Sequence, residues 1–289
     1  KVLILGAARQ GMATLNYLLK KGALPTVNDI QPAEEFQDLM HQFEGQNIEW
    51  VFGEHPISLL DNTDLIVISA GVPLSLPILH EAAHRGIPLT NDSQIFMEAV
   101  KSKVIGITGS AGKTTTTILV GEIAKKSAQD NQKVWVGGNI GSPLIASLDE
   151  IQPSDLVVLE LSSFQLELMS ISPSIAAILN ITPNHLDRHE TMAAYIDAKS
   201  QILRFQSSRD TAILNCEDAT TMELKPLVRG QLITFGHQPS KDQSVYVESD
   251  HLVYQQNSKT TILMPCNGVK LQGEHNLLNA LAAGAVAIA

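Results

Sequence analysis

The stretch Val104-Ile105-Gly106-Ile107-Thr108-Gly109-Ser110-Ala111-Gly112-Lys113-Thr114-Thr115-Thr116-Thr117 decides the fold. Its apolar, largely β-branched start predicts a buried strand, the small residues predict a tight loop, and Lys113 with the hydroxyls and Ile118-Leu119-Val120 predicts a helix start. Strand, glycine loop and helix in that order make a phosphate cradle. Backbone N–H groups at a helix N-terminus point at the anion, the helix dipole adds partial positive charge, and Lys113 adds a full one. Thr114, directly after the lysine, is placed to hold magnesium through its hydroxyl. The longer form of this loop carries a further glycine where Ile107 stands, so what remains is Gly109-x-x-Gly112-Lys113-Thr114. Glycine turns before helices also serve plain packing. The lysine, the hydroxyl and the preceding strand together favour a nucleotide phosphate site.

A length of 289 residues predicts two domains with sizeable cores, and no apolar run reaches membrane-spanning length. There is no signal peptide, and a start at Lys1 suggests that residues precede it. The net charge of -10 argues against a nucleic-acid surface, which needs clustered Lys and Arg. Cys216 and Cys266 lie far apart with no metal-ligand spacing, so they read as free thiols of a reducing cytoplasm.

Val2-Leu3-Ile4-Leu5, Gly6 to Gly11 and a helical pattern through Leu15, Leu18 and Leu19 open a βαβ unit. Ala8 replaces the middle glycine of the dinucleotide fingerprint. Thr26-Val27-Asn28 ends at Asp29, where such folds place an acid against a ribose or base edge; a solvated acid at a strand end is the alternative. Asp64 to Gly71 is another buried strand running into a small turn, so Gly6, Asp29 and Gly71 are expected to line one crevice. The pattern changes near Asp92, which sets domains of 1–92 and 93–289. The expected fold class is α/β, a Rossmann-like parallel sheet domain followed by a P-loop-type α/β ATPase domain.

In the second half, Gly137-Gly138-Asn139-Ile140-Gly141 reads either as a turn offering the Asn139 amide to a ligand or as an asparagine tolerating left-handed geometry. Asp155 to Gln165 places Glu160 on a buried strand, and a carboxylate there is costly unless paired or metal-bound, which makes Glu160 a magnesium contact. His185 follows the strand Ala176 to Ile181, where the loops of Lys113 and Glu160 would also open, and reads as functional; His189 could be a helix cap or a surface residue. A helix carries Tyr195, Lys199, Ile202 and Leu203, and a hairpin is expected through Val245 to Val247 and Leu252 to Tyr254. Asn276 and Asn279 share a helix face and could read a purine edge, with capping by Asn276 the alternative.

Taken together, Gly109 to Thr115, Gly137 to Gly141, Leu159 to Glu167, Asn180 to His189 and Gly273 to Asn279 resemble the Mur ligase superfamily, the ATP-dependent amide ligases of peptidoglycan synthesis. The resemblance covers essentially the whole chain. It implies addition of D-glutamate to UDP-N-acetylmuramoyl-L-alanine through an acyl phosphate, in a cytoplasmic enzyme that is a monomer with no nucleic-acid or membrane partner. It implies that Arg9, Gln10, Asp29, Ile30 and Gly71 hold the uridine diphosphate, with Asn139, Ser162, Gln165 and His185 on the substrate side. For ATP it implies Gly109, Ser110, Ala111, Gly112, Lys113, Thr114 and Thr115 at the phosphates and Asn276 and Asn279 by the adenine. Two Mg²⁺ are implied, one on Thr114 and Glu160, the other served by His185 and a carbamylated Lys199, whose carbamate oxygen is an anionic ligand where an ammonium would repel the ion. Lys113, Glu160, His185 and Lys199 are then the catalytic set. Asn184 stands where the family often has aspartate. The family's third, carboxyl-terminal domain with the amino-acid site is expected to be absent, so this chain should bind the UDP substrate but be incomplete for catalysis. The rivals are a folylpolyglutamate synthetase type of ligase, a non-catalytic nucleotide-binding module, and a Rossmann dehydrogenase. Ala8 and the lack of a hydride-transfer pair speak against the last.

Overall fold

A computed structural model describes residues 1–257 and 259–289. The chain divides into two compact units, Lys1–Ala99 with Pro143–Asp149, and Val100–Ser142 with Glu150–Ala289.

The first unit contains β1 (Val2–Leu5), α1 (Arg9–Lys20), β2 (Pro25–Asp29), α2 (Gln37–Gln42), β3 (Glu49–Phe52), β4 (Leu65–Ile68), α3 (Pro77–His84), β5 (Leu89–Thr90) and α4 (Asp92–Ala99). Its strands are all parallel in the order β3-β2-β1-β4-β5, the order of a nucleotide-binding doubly wound sheet. The central strands read as unbroken apolar runs, Val-Leu-Ile-Leu and Leu-Ile-Val-Ile, because a parallel sheet covered on both faces has no solvent side. Ile4, Leu15, Val27 and Val67 share its core. Helix α1 approaches the end of β1 so closely that a Cβ on Gly11 would lie 2.0 Å from the Gly6 carbonyl oxygen. This close helix–strand contact is what the last glycine of the dinucleotide fingerprint serves. The excursion Pro143–Asp149 belongs to this unit, with Leu144 and Ile145 buried and Asp149 paired to Lys21 at 3.2 Å.

The second unit contains β6 (Lys103–Thr108), α5 (Lys113–Ser127), β7 (Val134–Gly138), β8 (Leu156–Glu160), α6 (Ser163–Leu166), β9 (Ile175–Ile178), α7 (Leu186–His189), α8 (Met192–Arg204), β10 (Thr211–Asn215), α9 (Ala219–Glu223), β11 (Gln231–Phe235), β12 (Gln243–Glu248), β13 (His251–Gln256), β14 (Lys259–Pro265) and α10 (Glu274–Ile288). The sheet order is β14-β13-β12-β11-β10-β9-β6-β8-β7. It is parallel from β7 to β12 and ends in an antiparallel meander, with Tyr246 opposite Val253 in the expected hairpin. Ile105 and Ile107 of β6 share a core with Val120 of α5 and Leu281 and Ala285 of α10. The intervening Gly106 points the other way, toward Pro173 and Ile202 of α8. Helices therefore cover both faces of the central strands.

Strand β6 is the switch point. The chain leaves it for β7 and β8 on one side and then returns to build β9 to β12 on the other. Open α/β sheets bind ligands beyond the carboxyl ends of the strands at such a point. Glu160 pairs in register with Ile107, and Ile178 with Thr108, so the ends of β8, β6 and β9 lie side by side. No helix among the described residues is long and apolar enough to cross a membrane.

Candidate active site

The loop after β6 meets α5 at Gly112, whose φ of 82° is left-handed and which stands against Asn279. The first intrahelical bond of α5 runs from Thr116 N to Gly112 O at 2.9 Å. The N–H groups of Gly112, Lys113, Thr114 and Thr115 thus have no helical acceptor and face the mouth of the loop, as at any helix start. Lys113 Nζ donates to Gly109 O at 2.9 Å and to Ser110 O at 3.3 Å. Burial lowers its pKa, and the Glu160 carboxylate works against that shift.

Glu160 ends β8 and is 1% exposed. Its Oε2 accepts from Thr114 Oγ1 at 2.9 Å and its Oε1 from Asn139 Nδ2 at 3.0 Å. The Asn139 amide is therefore committed to the carboxylate, with its backbone N–H on Glu160 O as well. On α8, Lys199 is also 1% exposed. Its Nζ donates to Gly109 O at 2.9 Å and Thr108 Oγ1 at 3.3 Å and lies 4.8 Å from the Tyr195 ring centre. Burial, with the repulsion of Lys113 added, pulls its pKa from 10.5 down to about 7. The two lysines share one carbonyl, Gly109 O.

The outer wall of the loop is held by residues that the motif reading did not single out. Asn180, just past β9, accepts from Ala111 N at 2.8 Å and donates to Ala111 O at 3.1 Å, while its own carbonyl accepts from Ser110 N. Ser110 Oγ sits 3.0 Å from Tyr195 OH and bonds the Thr182 backbone at 2.9 and 3.0 Å. No spacing rule marks these partners, because they meet only through the β6–β9 pairing and the helix laid over it.

His185 is exposed at the start of α7. Its backbone is left-handed at φ 53°, and its ring sits edge-on to Phe164 at 5.4 Å. His189 is neither a helix cap nor a surface residue. It is buried at the end of α7, stacked on Phe164 at 5.0 Å, with Nε2 on Ser163 Oγ at 2.9 Å. Burial and then Lys199 lower its pKa. Ser162 and Gln165 bond each other in a capping box at the start of α6: Gln165 N donates to Ser162 Oγ at 3.3 Å and Ser162 N to Gln165 Oε1 at 3.0 Å.

On α10 the N-cap is Gly273, so Asn276 does not cap the helix; it donates to Gln272 O at 2.7 Å. Asn279 accepts from Thr116 Oγ1 at 3.3 Å and donates to Asn276 Oδ1 at 3.2 Å, tying α10 to α5 beside Gly112. In the first unit Asp29 is not a free solvated acid. Its carboxylate takes Ala7 N at 2.8 Å and Gln31 N at 3.0 Å, which draws the β1–α1 turn and the end of β2 together. Arg9 and Gln10 begin α1, Ile30 is exposed just beyond β2, and Gly71 lies in the turn after β4.

The residue patterns of two described domains match the chain, the Mur ligase middle domain over residues 107–287 and the MurD-like N-terminal domain of Mur ligases over residues 1–91. The chain belongs to the Mur ligase family. Among Mur ligases, it is 39% identical over 99% of its length to the UDP-N-acetylmuramoylalanine--D-glutamate ligase of Pelotomaculum thermopropionicum, and 34% identical over its whole length to the enzyme of the same name from Acetivibrio thermocellus. It spans 63% and 61% of those two relatives. The fold is that of the UDP-N-acetylmuramate:L-alanyl-gamma-D-glutamyl-meso-diaminopimelate ligase from Neisseria meningitides, at TM-score 0.62 and 18% identity, covering 99% of this chain and 92% of that one. Mur ligases use ATP, generally with Mg²⁺.

Among the described residues no three His, Cys, Asp or Glu side chains are assembled to hold an ion alone. A buried carboxylate beside a hydroxyl, next to a glycine loop at a helix N-terminus, fits magnesium, which takes one or two carboxylates and fills its other positions with phosphate oxygens and water. Thr114 and Glu160 meet that description. The amine of Lys199, a donor to two oxygens, meets it only after conversion to a carbamate.

Proposed function

We propose that the protein is an ATP-dependent ligase that joins D-glutamate to UDP-N-acetylmuramoyl-L-alanine through an acyl phosphate. The names of its relatives support the substrates. The observation that carries the chemistry is that Lys113 and Lys199 share the Gly109 carbonyl while Thr114 bonds Glu160, with the loop and the carboxylate at the ends of the adjacent strands β6 and β8.

In this reading the substrate carboxylate attacks the γ-phosphoryl group of ATP. ADP leaves, and the amine of D-glutamate then displaces phosphate to form the amide. Two anions must approach each other in the first step, so charge neutralisation and positioning carry most of the catalysis. The loop N–H groups and Lys113 hold the β- and γ-phosphates, and Lys113 must exchange Gly109 O and Ser110 O for phosphate oxygens. Magnesium, when bound, neutralises phosphate charge. Thr114 and Glu160 would hold it, with Asn139 orienting the carboxylate. Lys199 is assigned as a carbamate: its neutral amine would add CO₂ and release one proton, giving an anionic oxygen that would serve the second ion with His185. Asn276 and Asn279 are assigned to the adenine side. In the first unit Arg9, Gln10, Asp29, Ile30 and Gly71 are assigned to the uridine diphosphate; in the second, Ser162, Gln165 and His185 are assigned to the substrate side.

Lys113→Ala tests the assignment. ADP release that depends on the UDP substrate should fall by roughly 10²–10³-fold or more, while affinity for the UDP substrate stays within about threefold. Undiminished ADP release by that variant in the full-length protein would overturn the reading.

A further inference from the structure

We propose that Asn180 is a positioning residue that presets the phosphate loop, and that Ala111 offers no backbone donor to the nucleotide. The inference rests on the nucleotide reading above and goes beyond it, because Asn180 touches no ligand in that scheme.

The geometry is a closed pair. Asn180 Oδ1 accepts from Ala111 N at 2.8 Å and Asn180 Nδ2 donates to Ala111 O at 3.1 Å, so one planar amide holds the peptides on both sides of one loop residue. Only one orientation of the amide works, since the flipped form would set NH₂ against N–H and oxygen against oxygen. A third bond, Ser110 N to Asn180 O at 2.9 Å, continues the attachment one residue upstream. The backbone of Asn180 is itself anchored, because Leu179 N bonds Thr108 O at 2.9 Å and Asn215 Nδ2 bonds Leu179 O at 2.9 Å. The amide is thus a bracket from the rigid end of β9 to the middle of the loop.

Two consequences follow for the anion. The Ala111 N–H, which the loop motif alone would offer to phosphate, is already paired. The remaining donors are those of Gly112 to Thr115, and the bracket fixes the peptide leading into the left-handed Gly112 that aims them. A cradle whose donors are set before the ligand arrives loses less conformational freedom on binding. Without the bracket the loop must be ordered by the nucleotide itself, and the lost affinity should scale with the phosphates that depend on it.

The test uses Asn180→Ala and Asn180→Asp in the full-length protein, with magnesium complexes of ADP and ATP, and AMP alone, as titrants in calorimetry. Asp keeps the acceptor for Ala111 N, loses the donor and adds a negative charge, whereas Ala loses both bonds without charge. The expected result is a roughly 10- to 100-fold loss of ADP and ATP affinity in both variants. AMP affinity and the melting midpoint should stay close to wild type, and Asp should be hurt more by ATP than by ADP. Unchanged ADP affinity in a folded Asn180→Ala protein overturns the proposal. An equal loss for AMP, ADP and ATP with a lowered melting midpoint also overturns it, because that is a structural role. Absence of ADP and ATP binding by the wild-type protein overturns the nucleotide reading first, and the inference with it.

Discussion

At the scale of the residue, Lys199 shows how far a neighbourhood can move a side chain from its ordinary chemistry. A buried amine with two neutral oxygen acceptors and a second lysine nearby is held neutral down to about pH 7 rather than 10.5. The unfolded chain keeps binding that proton up to about 10.5, so between these limits the unfolded state carries more protons and stability rises with pH. Below about 7 both states are charged and the full cost of the buried ammonium is present. The denaturation free energy of wild type relative to Lys199→Met should therefore increase from pH 7 to 9.5, measured in CO₂-free buffer. A difference that stays flat across that interval would mean the amine is not held neutral. Gly112 is the second such residue. An alanine there would adopt φ near 82° and bring its Cβ within 2.3 Å of Asn279 Oδ1. Gly112→Ala should destabilise the protein by roughly 1–3 kcal/mol in chemical denaturation. Asn279→Gly in the same chain should restore only the part due to the contact, since the backbone strain remains.

Among the elements, the legible ones are those whose chemistry is local. Strand β6, its loop and α5 announce themselves through a continuous segment, because a phosphate cradle is built from consecutive backbone N–H groups and one lysine a turn away. Glu160 was legible for a different reason: a carboxylate closing an apolar strand needs a partner, and it has Thr114 and Asn139. The hairpin of β12 and β13 lies where the sequence predicts one. His189 and Asn180 were not legible in the same way. One is a histidine in a polar stretch and becomes a buried contact only because α6 and α8 close on α7. The other is a lone asparagine whose partner lies 69 residues away in the chain. Asn276 and Asn279 share a face as their spacing requires, yet their amides are occupied by Gln272, Thr116 and each other, which periodicity does not reveal.

At the scale of the whole molecule, each unit packs its own apolar residues together, Ile4, Leu15 and Val67 in one and Ile107, Ile213 and Leu281 in the other. A ligand of the second sheet should therefore shift an unfolding transition by mass action. Magnesium with ADP at about 100 times its Kd should add about 2.7 kcal/mol, and calorimetry should show the gain collapse when EDTA removes the metal. ADP that stabilises equally with and without magnesium would count against Thr114 and Glu160 as metal ligands. The amino-acid order alone determined the α/β class, the strand–glycine loop–helix segment with its lysine, the acid at the end of β8 and the family, because each depends on neighbours in the chain or on a signature distributed along it. The tertiary structure alone decided the strand order that sets β8, β6 and β9 side by side, the burial that brings Lys199 near neutrality, and the amide of Asn180 on Ala111. Those depend on desolvation and on contacts between distant segments, and neither quantity exists until the sheet has closed.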